Sequence, residues 1–185
     1  MPGRVAALNA PRGGALGARR ARLPGVKLDL PPELRAQLLA RINRGFVEGV
    51  PHNKALGMRV VDFGRGEITI SLPYDARFVG NPSTGVLHGG VVTALLDASC
   101  GASVFTMLPE PVPIATLDLR IDYLKPAVAS LDLMAKAHCY KVTRNVAFVR
   151  CVAFQDDEAD PVATASGAFM LSTKGRSAMQ RPEGV

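Results

Sequence analysis

The sequence predicts an α+β protein with one domain, in which a long buried helix is wrapped by a curved antiparallel sheet of five to six strands. A stretch over residues 88–107 is apolar on nearly all sides, which is typical of a helix buried all round. Two strand-like segments precede it and four follow it, so the helix must pack against the sheet that they form. With 185 residues, 48% of them apolar, the chain is long enough for one full core.

The basic character of the chain is confined to residues 1–30, which we expect to be a disordered extension. Residues 1–28 contain six arginines and lysines and no acid, so the remainder carries 16 basic and 16 acidic groups and the formal charge of +6 belongs to the extension. Its composition is typical of disorder, with a transit-like segment and a start codon placed too early as alternatives. Because the rest of the chain has no net charge, we expect no positively charged surface that would bind nucleic-acid phosphates, and no nucleic-acid partner.

A helix at residues 31–50 and a hairpin are predicted before the buried helix. Two prolines and Glu33 suit a first helical turn, and apolar residues recur at helical spacing as far as Phe46. Residues 56–63 and 67–72 then form strands on either side of a Gly-Arg-Gly turn.

Four strands are predicted after the buried helix, at residues 114–124, 131–142, 145–154 and 162–171. Strict alternation in the first of them places Thr116 on one face with Ile114 and Asp118, and places Leu117 on the other face with Leu119. The main domain then runs over residues 51–173, and residues 174–185 form a C-terminal tail.

One segment carries both an isolated acid and a helix start that favours anions. Asp97 is the only charged side chain between Arg77 and Glu110, and a carboxylate in an apolar helix is costly to bury unless it is paired or used. A His-Gly-Gly triplet at 88–90 would open the same helix, where free N–H groups and the helix dipole favour negative charge.

This pattern resembles the signature of PaaI-type hotdog-fold acyl-CoA thioesterases. The matching residues are Asn81, Gly85, the His-Gly-Gly triplet, and a Leu-Leu-Asp that ends at Asp97, nine residues after the histidine. Residues 116–126 and 141–148 are similar to the family's strand after the helix and to its penultimate hairpin. The resemblance covers residues 50–173, with six residues between Asn81 and His88 where some members have five.

The resemblance implies hydrolysis of an acyl-CoA thioester to the free acid and CoA. Asp97 would act as a general base on water, or as a nucleophile that forms a mixed anhydride. The backbone N–H of Gly89 or Gly90 would bind the thioester oxygen as negative charge develops. Taken alone, Asp97 is equally compatible with a structural acid that accepts N–H groups.

Further residues are expected to orient the reactants and to hold CoA. Asn81 and His88 would orient water or the thioester, and Thr116 would hydrogen-bond water or Asp97. If they had only structural roles, Asn81 would be a turn residue, His88 a helix cap and Thr116 a strand residue. CoA phosphates need cations, and the candidates near strand ends, each of which would otherwise be a solvated strand terminus, are Arg120, Lys125, Lys141 and Arg144.

Helical geometry separates the two halves of this site on one chain. Nine residues along a helix advance about 13 Å and rotate by about 900°, so His88 and Asp97 would lie on opposite faces. If both are catalytic, each site must combine His88 and Gly89 of one subunit with Asp97 of another. A homodimer follows, as the resemblance also implies, and pairs of dimers would form a tetramer whose arrangement the sequence leaves open.

Two other functions stay open at this level. A hydratase or dehydratase of acyl-thioesters would need a His–Asp or His–Glu pair at the acyl α and β carbons, whereas the glycine turn explains the position of His88 without such a pair. A non-catalytic acyl-CoA-binding module would have no need of Asp97. The identity of the acyl group is not readable from the sequence.

No metal or cofactor is expected, since no His/Cys spacing suits zinc and CoA enters as part of the substrate. His52 and His138 are interpreted as structural or exposed. The cysteines at 100, 139 and 151 are interpreted as packing residues, which favours a reducing, cytoplasmic compartment. The apolar run at 86–108 contains His88 and Asp97, so we expect a buried helix and no membrane partner.

Overall fold

The computed structural model describes residues 28–171, in which a six-stranded antiparallel sheet lies against one long helix. The helical elements are α1 (Pro32–Asn43), a π-helical turn (Arg44–Glu48), α2 (Pro51–Ala55), a 3-10 turn (Ala76–Phe78) and α3 (Gly89–Phe105). The strands are β1 (Arg59–Gly64), β2 (Glu67–Leu72), β3 (Val79–Asn81), β4 (Val86–Leu87), β5 (Ile114–Tyr123), β6 (Leu133–Val142), β7 (Val146–Phe154) and β8 (Ala163–Leu171). The sheet order is β1-β2-β6-β7-β8-β5, with β3 and β4 paired separately. The predicted α+β architecture is confirmed, while residues 1–27 of the predicted extension and the C-terminal tail lie outside the described residues.

Helix α3 is seated on the inner face of the sheet. Leu95, Leu96 and Val104 are fully buried against it. Alternate residues of β6 and β7 face the helix, and many of them are alanines, which let the helix approach the sheet closely. Because one side of α3 is fixed in this way, the side that carries Asp97 is left half-buried at the surface.

The sequence did not predict the short helix α2 or the short strands β3 and β4. Pro51 begins the short helix α2, since proline suits a first helical turn, and the first strand therefore starts at Arg59. In the segment predicted as a loop, β3 pairs with β4 around a turn that ends at Gly85. Gly85 has φ of +70°, a conformation that side-chain-bearing residues rarely adopt.

Polar contacts attach α1 to the edge strand β1. The Asn43 side chain accepts from the Val60 N–H and donates to the Val60 carbonyl, each at 2.9 Å. Arg35 bonds to Asp62 and to the Phe63 carbonyl. No α1 residue is fully buried, so the predicted apolar stripe is only partly covered.

A β-bulge at Leu117 decides which face of β5 holds Thr116. Thr116 pairs with Phe169 and Asp118 with Ala168, so Leu117 is an inserted residue. The bulge brings Thr116 onto the same side as Leu119, facing α3, whereas Leu117 is 55% exposed. The strict alternation predicted for this strand is therefore wrong, because a constant period of two cannot accommodate an inserted residue.

The three cysteines are free and buried, as their interpretation as packing residues requires. Burial raises the pKa of the Cys139 thiol from its ordinary value of 9.0 to about 11, and burial also raises the pKa of Cys151. These two thiols keep their protons near neutral pH and all three cysteines are buried, so we expect the native thiols to be inert.

This burial predicts slow alkylation and a loss of stability at alkaline pH. Iodoacetamide at pH 8 should modify the native protein slowly and all three cysteines after denaturation. Between pH 9 and 11 the unfolded Cys139 thiol releases its proton while the folded one keeps it, so the free energy of unfolding should fall as pH rises. Urea denaturation at pH 8 and pH 10.5 measures the fall, which should be smaller in Cys139→Ala. An equal fall in both proteins would contradict the assignment.

Candidate active site

The Asp97 carboxylate is positioned by a hydroxyl from the sheet. Asp97 lies midway along α3, half-buried, and Thr116 on β5 donates to its Oδ1 at 2.9 Å. The bulge at Leu117 makes this contact possible, because it turns Thr116 toward the helix. Asp97 lines a groove, and no residue between 28 and 171 hydrogen-bonds to its second carboxylate oxygen, so that oxygen is available to accept a proton or to attack a substrate.

His88 caps the N-terminus of α3. Its Nδ1 accepts from the Gly90 N–H at 2.9 Å, and its backbone N–H donates to the Phe78 carbonyl at 2.8 Å. A neutral imidazole whose Nδ1 is an acceptor carries its proton on Nε2. His88 therefore presents an N–H donor to solvent.

At this helix start, the backbone N–H of Gly89 has no hydrogen-bond acceptor among residues 28–171. The first N–H groups of a helix have no intrahelical acceptor, and Gly90 already donates to His88. Among residues 28–171, no acceptor is in hydrogen-bonding reach of the Gly89 N–H. The Tyr123 hydroxyl donates to the Gly89 carbonyl at 2.9 Å, and the Thr93 hydroxyl lies 3.0 Å from the same oxygen, so the orientation of Gly89 is fixed from two sides.

The predicted halves of the site line different cavities on one chain. Asp97 and Thr116 line a groove of about 700 Å³, which we call the Asp97 groove. His88 lines a smaller cavity of about 390 Å³, and the two meet along Gly90 and Ala94. His88 and Asp97 are nine residues apart, about 13 Å along the helix, and make no contact.

Asn81 lies in the turn that precedes His88. Its side-chain oxygen accepts from the Ser83 N–H at 3.0 Å, and its carbonyl accepts from Gly85 at 2.9 Å. The residue is exposed and lies outside both cavities. Neighbouring Gly80 contacts the backbone of His88 so closely that a Cβ there would lie 2.8 Å from the His88 Cα, which means that this segment fixes the helix start.

The four cations proposed for CoA fall into two pairs. Arg120 bonds to Asp122, and Lys125 to Asp160, in exposed ion pairs, which contribute little stability and are easily exchanged. Lys141 and Arg144 are exposed and form no ion pair with any residue between 28 and 171. These two lie at the end of the sheet where Thr116 is found, because Thr116 pairs with Phe169 and Phe169 with Ala147.

Several residues that line the two cavities were given no functional role in the sequence analysis. His52 on α2, interpreted there as structural or exposed, lines both cavities. Arg77 lines the smaller cavity, beside His88. The hydrogen bonds that Arg77 donates to Asp75 lower the pKa of that carboxyl. Phe46 and Phe105 line the Asp97 groove. No local motif marks these residues, since they meet only through the packing of separate segments.

Residues 28–171 contain neither a metal-binding cluster nor a membrane-spanning helix. No three histidine, cysteine or acidic side chains in that range lie close enough together to hold a metal ion. No helix in that part of the chain is long and apolar enough to cross a membrane.

A long helix packed on a six-stranded antiparallel sheet is the arrangement of the hotdog fold, and comparisons with known proteins agree with it. The thioesterase superfamily model matches residues 84–162, which include α3 and β5. A Halobacterium salinarum protein named "Putative esterase VNG_1336C" is 36% identical over 124 residues, 63% of this chain and 81% of that protein. The medium/long-chain acyl-CoA thioesterase YigI of Escherichia coli is 28% identical over 148 residues, 73% of this chain and 94% of YigI.

Solved structures that are similar to this chain point to the same family. A Pseudomonas aeruginosa protein is 44% identical with a TM-score of 0.66, covering 73% of this chain and 99% of that one. A point mutant of the phenylacetic acid degradation protein PaaI from Thermus thermophilus is 25% identical with a TM-score of 0.59, covering 66% of this chain and 100% of that one. The chain belongs to the thioesterase superfamily. The predictions of a PaaI-type hotdog fold and of a thioesterase are confirmed.

Proposed function

We propose that the protein hydrolyses acyl-CoA thioesters to the free acid and CoA, at sites shared between two copies of the chain. The observation that carries the proposal is the Asp97 carboxylate, held by Thr116 and open to an apolar groove. The relatedness to YigI, which is named for medium and long acyl chains, supports an acyl-CoA with a chain in that range.

The helix start supplies the electrophilic half of the site. The Gly89 N–H, free of any acceptor among the described residues, would donate to the thioester oxygen as it gains negative charge. The Nε2–H of His88 lies on the same helix start and would orient the thioester or the water. Asn81 would act through the turn that holds His88, because its side chain bonds within that turn.

Asp97 supplies the other half. As a general base, its free oxygen takes a proton from water while the water oxygen attacks the thioester carbon. The carbon–sulfur bond then breaks, and the CoA thiolate leaves and takes up a proton. As a nucleophile, Asp97 would instead form a mixed anhydride that water opens.

Sharing of the site between two copies follows from the distance between its halves. Gly89 and Asp97 are eight residues apart, about 12 Å along one helix, which is too far for one thioester. Strand β5 lies at the edge of the described sheet, and no strand within residues 28–171 pairs with its outer row of backbone groups, where a second β5 would add. A homodimer joined there would place Gly89 of one subunit near Asp97 of the other, and two dimers would make the tetramer.

Lys141 and Arg144 would bind the CoA phosphates. Lys141 and Arg144 are exposed and unpaired among residues 28–171, at the same end of the sheet as Thr116. Arg120 and Lys125 would first have to leave their carboxylate partners. We therefore propose Lys141 and Arg144 as the main phosphate contacts. The three free, buried cysteines support a cytoplasmic location.

Release of CoA thiol from a panel of short, medium, long and aromatic acyl-CoAs, followed with a thiol reagent, tests the proposed function. We expect turnover with at least one acyl-CoA and the highest kcat/KM for a medium or long chain. Hydration of crotonyl-CoA without thiol release would identify a hydratase instead. Binding of every acyl-CoA without turnover would identify a non-catalytic module, and either result would overturn the proposal.

A further inference from the structure

The Asp97 groove extends past the carboxylate into an apolar end. Phe46, Phe105, Ile114 and Phe169 line it. Its volume of about 700 Å³ is in the range of cavities that bind small molecules. Phe46 comes from the π-helical turn, so the N-terminal segment supplies one wall of the groove.

Gly101 also lines this end, next to Ile114 and Phe169. It is four residues after Asp97, so both lie on the same side of α3, and it is buried. A Cβ built at Gly101 would lie 3.5 Å from Ile114 Cδ1 and 3.5 Å from Phe169 Cε1, an ordinary contact distance. Alanine therefore fits at this position, and because Gly101 lines the groove, we expect the further carbons of valine to take up space in it.

We propose that this apolar end holds the acyl chain of the substrate and that Gly101 sets how long a chain fits. The inference rests on the proposed function and names the part of the substrate that the groove takes. An acyl chain that starts at a thioester beside Asp97 would run toward Gly101, where apolar walls remove its methylene groups from water. The competing occupant is the pantetheine arm of CoA, which is the same for every substrate.

The test is the acyl-chain-length profile of Gly101→Val, measured as kcat/KM for saturated acyl-CoAs of increasing length. The added carbons should exclude the end of the chain, so kcat/KM should fall for the longest chains and stay near wild type for short ones. Each excluded methylene should cost about fourfold. Phe105→Ala removes a flanking ring and should shift the optimum toward longer chains.

Two variants serve as controls. Gly101→Ala adds only the Cβ that fits, and should shift the profile less than valine does. Gly45→Val makes the same change where a Cβ meets no atom within 4 Å, and should leave the profile unchanged. A uniform loss at all lengths in Gly101→Val would place pantetheine in the groove and overturn the inference. Unchanged profiles in both Gly101→Val and Phe105→Ala would overturn it too. Absence of turnover in the wild-type protein would instead count against the proposed function.

Discussion

Replacement of Asp97 by asparagine should lower kcat by about 10²- to 10⁴-fold, the range expected for loss of a general base or a nucleophile. The amide has nearly the shape of the carboxylate and can still accept from the Thr116 hydroxyl, so the geometry of the groove should persist. What it lacks is a basic oxygen. Steady-state kinetics with the best acyl-CoA measure the loss, and thermal unfolding within a few degrees of wild type shows that the fold is intact.

The matched control for this variant is Asp118→Asn. Asp118 lies on β5, two residues after Thr116 and beyond the bulge, and is exposed. Its replacement removes the same charge, but from the strand that carries Thr116 and not from α3, and activity should stay within twofold of wild type, because surface charges contribute little. Near wild-type hydrolysis of every acyl-CoA by Asp97→Asn would show that another residue does the chemistry.

The helix and its acid could be predicted because the local pattern is strong. An apolar run long enough for a helix, with one charge and a glycine-rich start, has few alternative interpretations, and α3 (Gly89–Phe105) lies within two residues of the predicted 88–107. The following strands also lie within a few residues of their predicted bounds, since their ends carry prolines, turn residues or acidic clusters.

The contacts within the site could not be predicted in the same way. Periodicity assigned Thr116 to the face opposite Leu119, and the inserted Leu117 reverses that assignment. The bulge depends on how β5 pairs with β8, and the local sequence of β5 does not reveal that pairing. The apolar end of the groove likewise combines Phe46, Phe105 and Phe169 from distant segments, which only the packed fold brings together.

Gly89→Pro should lower kcat by about 10²- to 10³-fold, because it removes one N–H donor to the developing oxyanion. The substitution is mild for the fold. Gly89 is the first residue of α3, where proline is tolerated, and His88 before it has ψ of 134°, the extended conformation that precedes proline. Gly89→Ala is the matched control. It keeps the N–H, its Cβ would lie 3.5 Å from the Tyr123 hydroxyl, and it should keep most of the activity. Equal activity in the proline and alanine variants would exclude Gly89 as the donor.

Mixing these two damaged chains should restore activity if each site is shared. In a heterodimer, the Asp97→Asn subunit supplies an intact Gly89 and the Gly89→Pro subunit supplies an intact Asp97, so one of the two sites is complete. Random pairing of equal amounts makes half of all dimers mixed, which predicts about a quarter of wild-type kcat per chain in a two-fold symmetric dimer. Co-expression with two different tags allows the mixed species to be isolated and its mass measured. A site built within one chain gives no complete site in any mixture, so activity that stays at the level of the separate variants would refute the shared site while leaving the role of Asp97 intact.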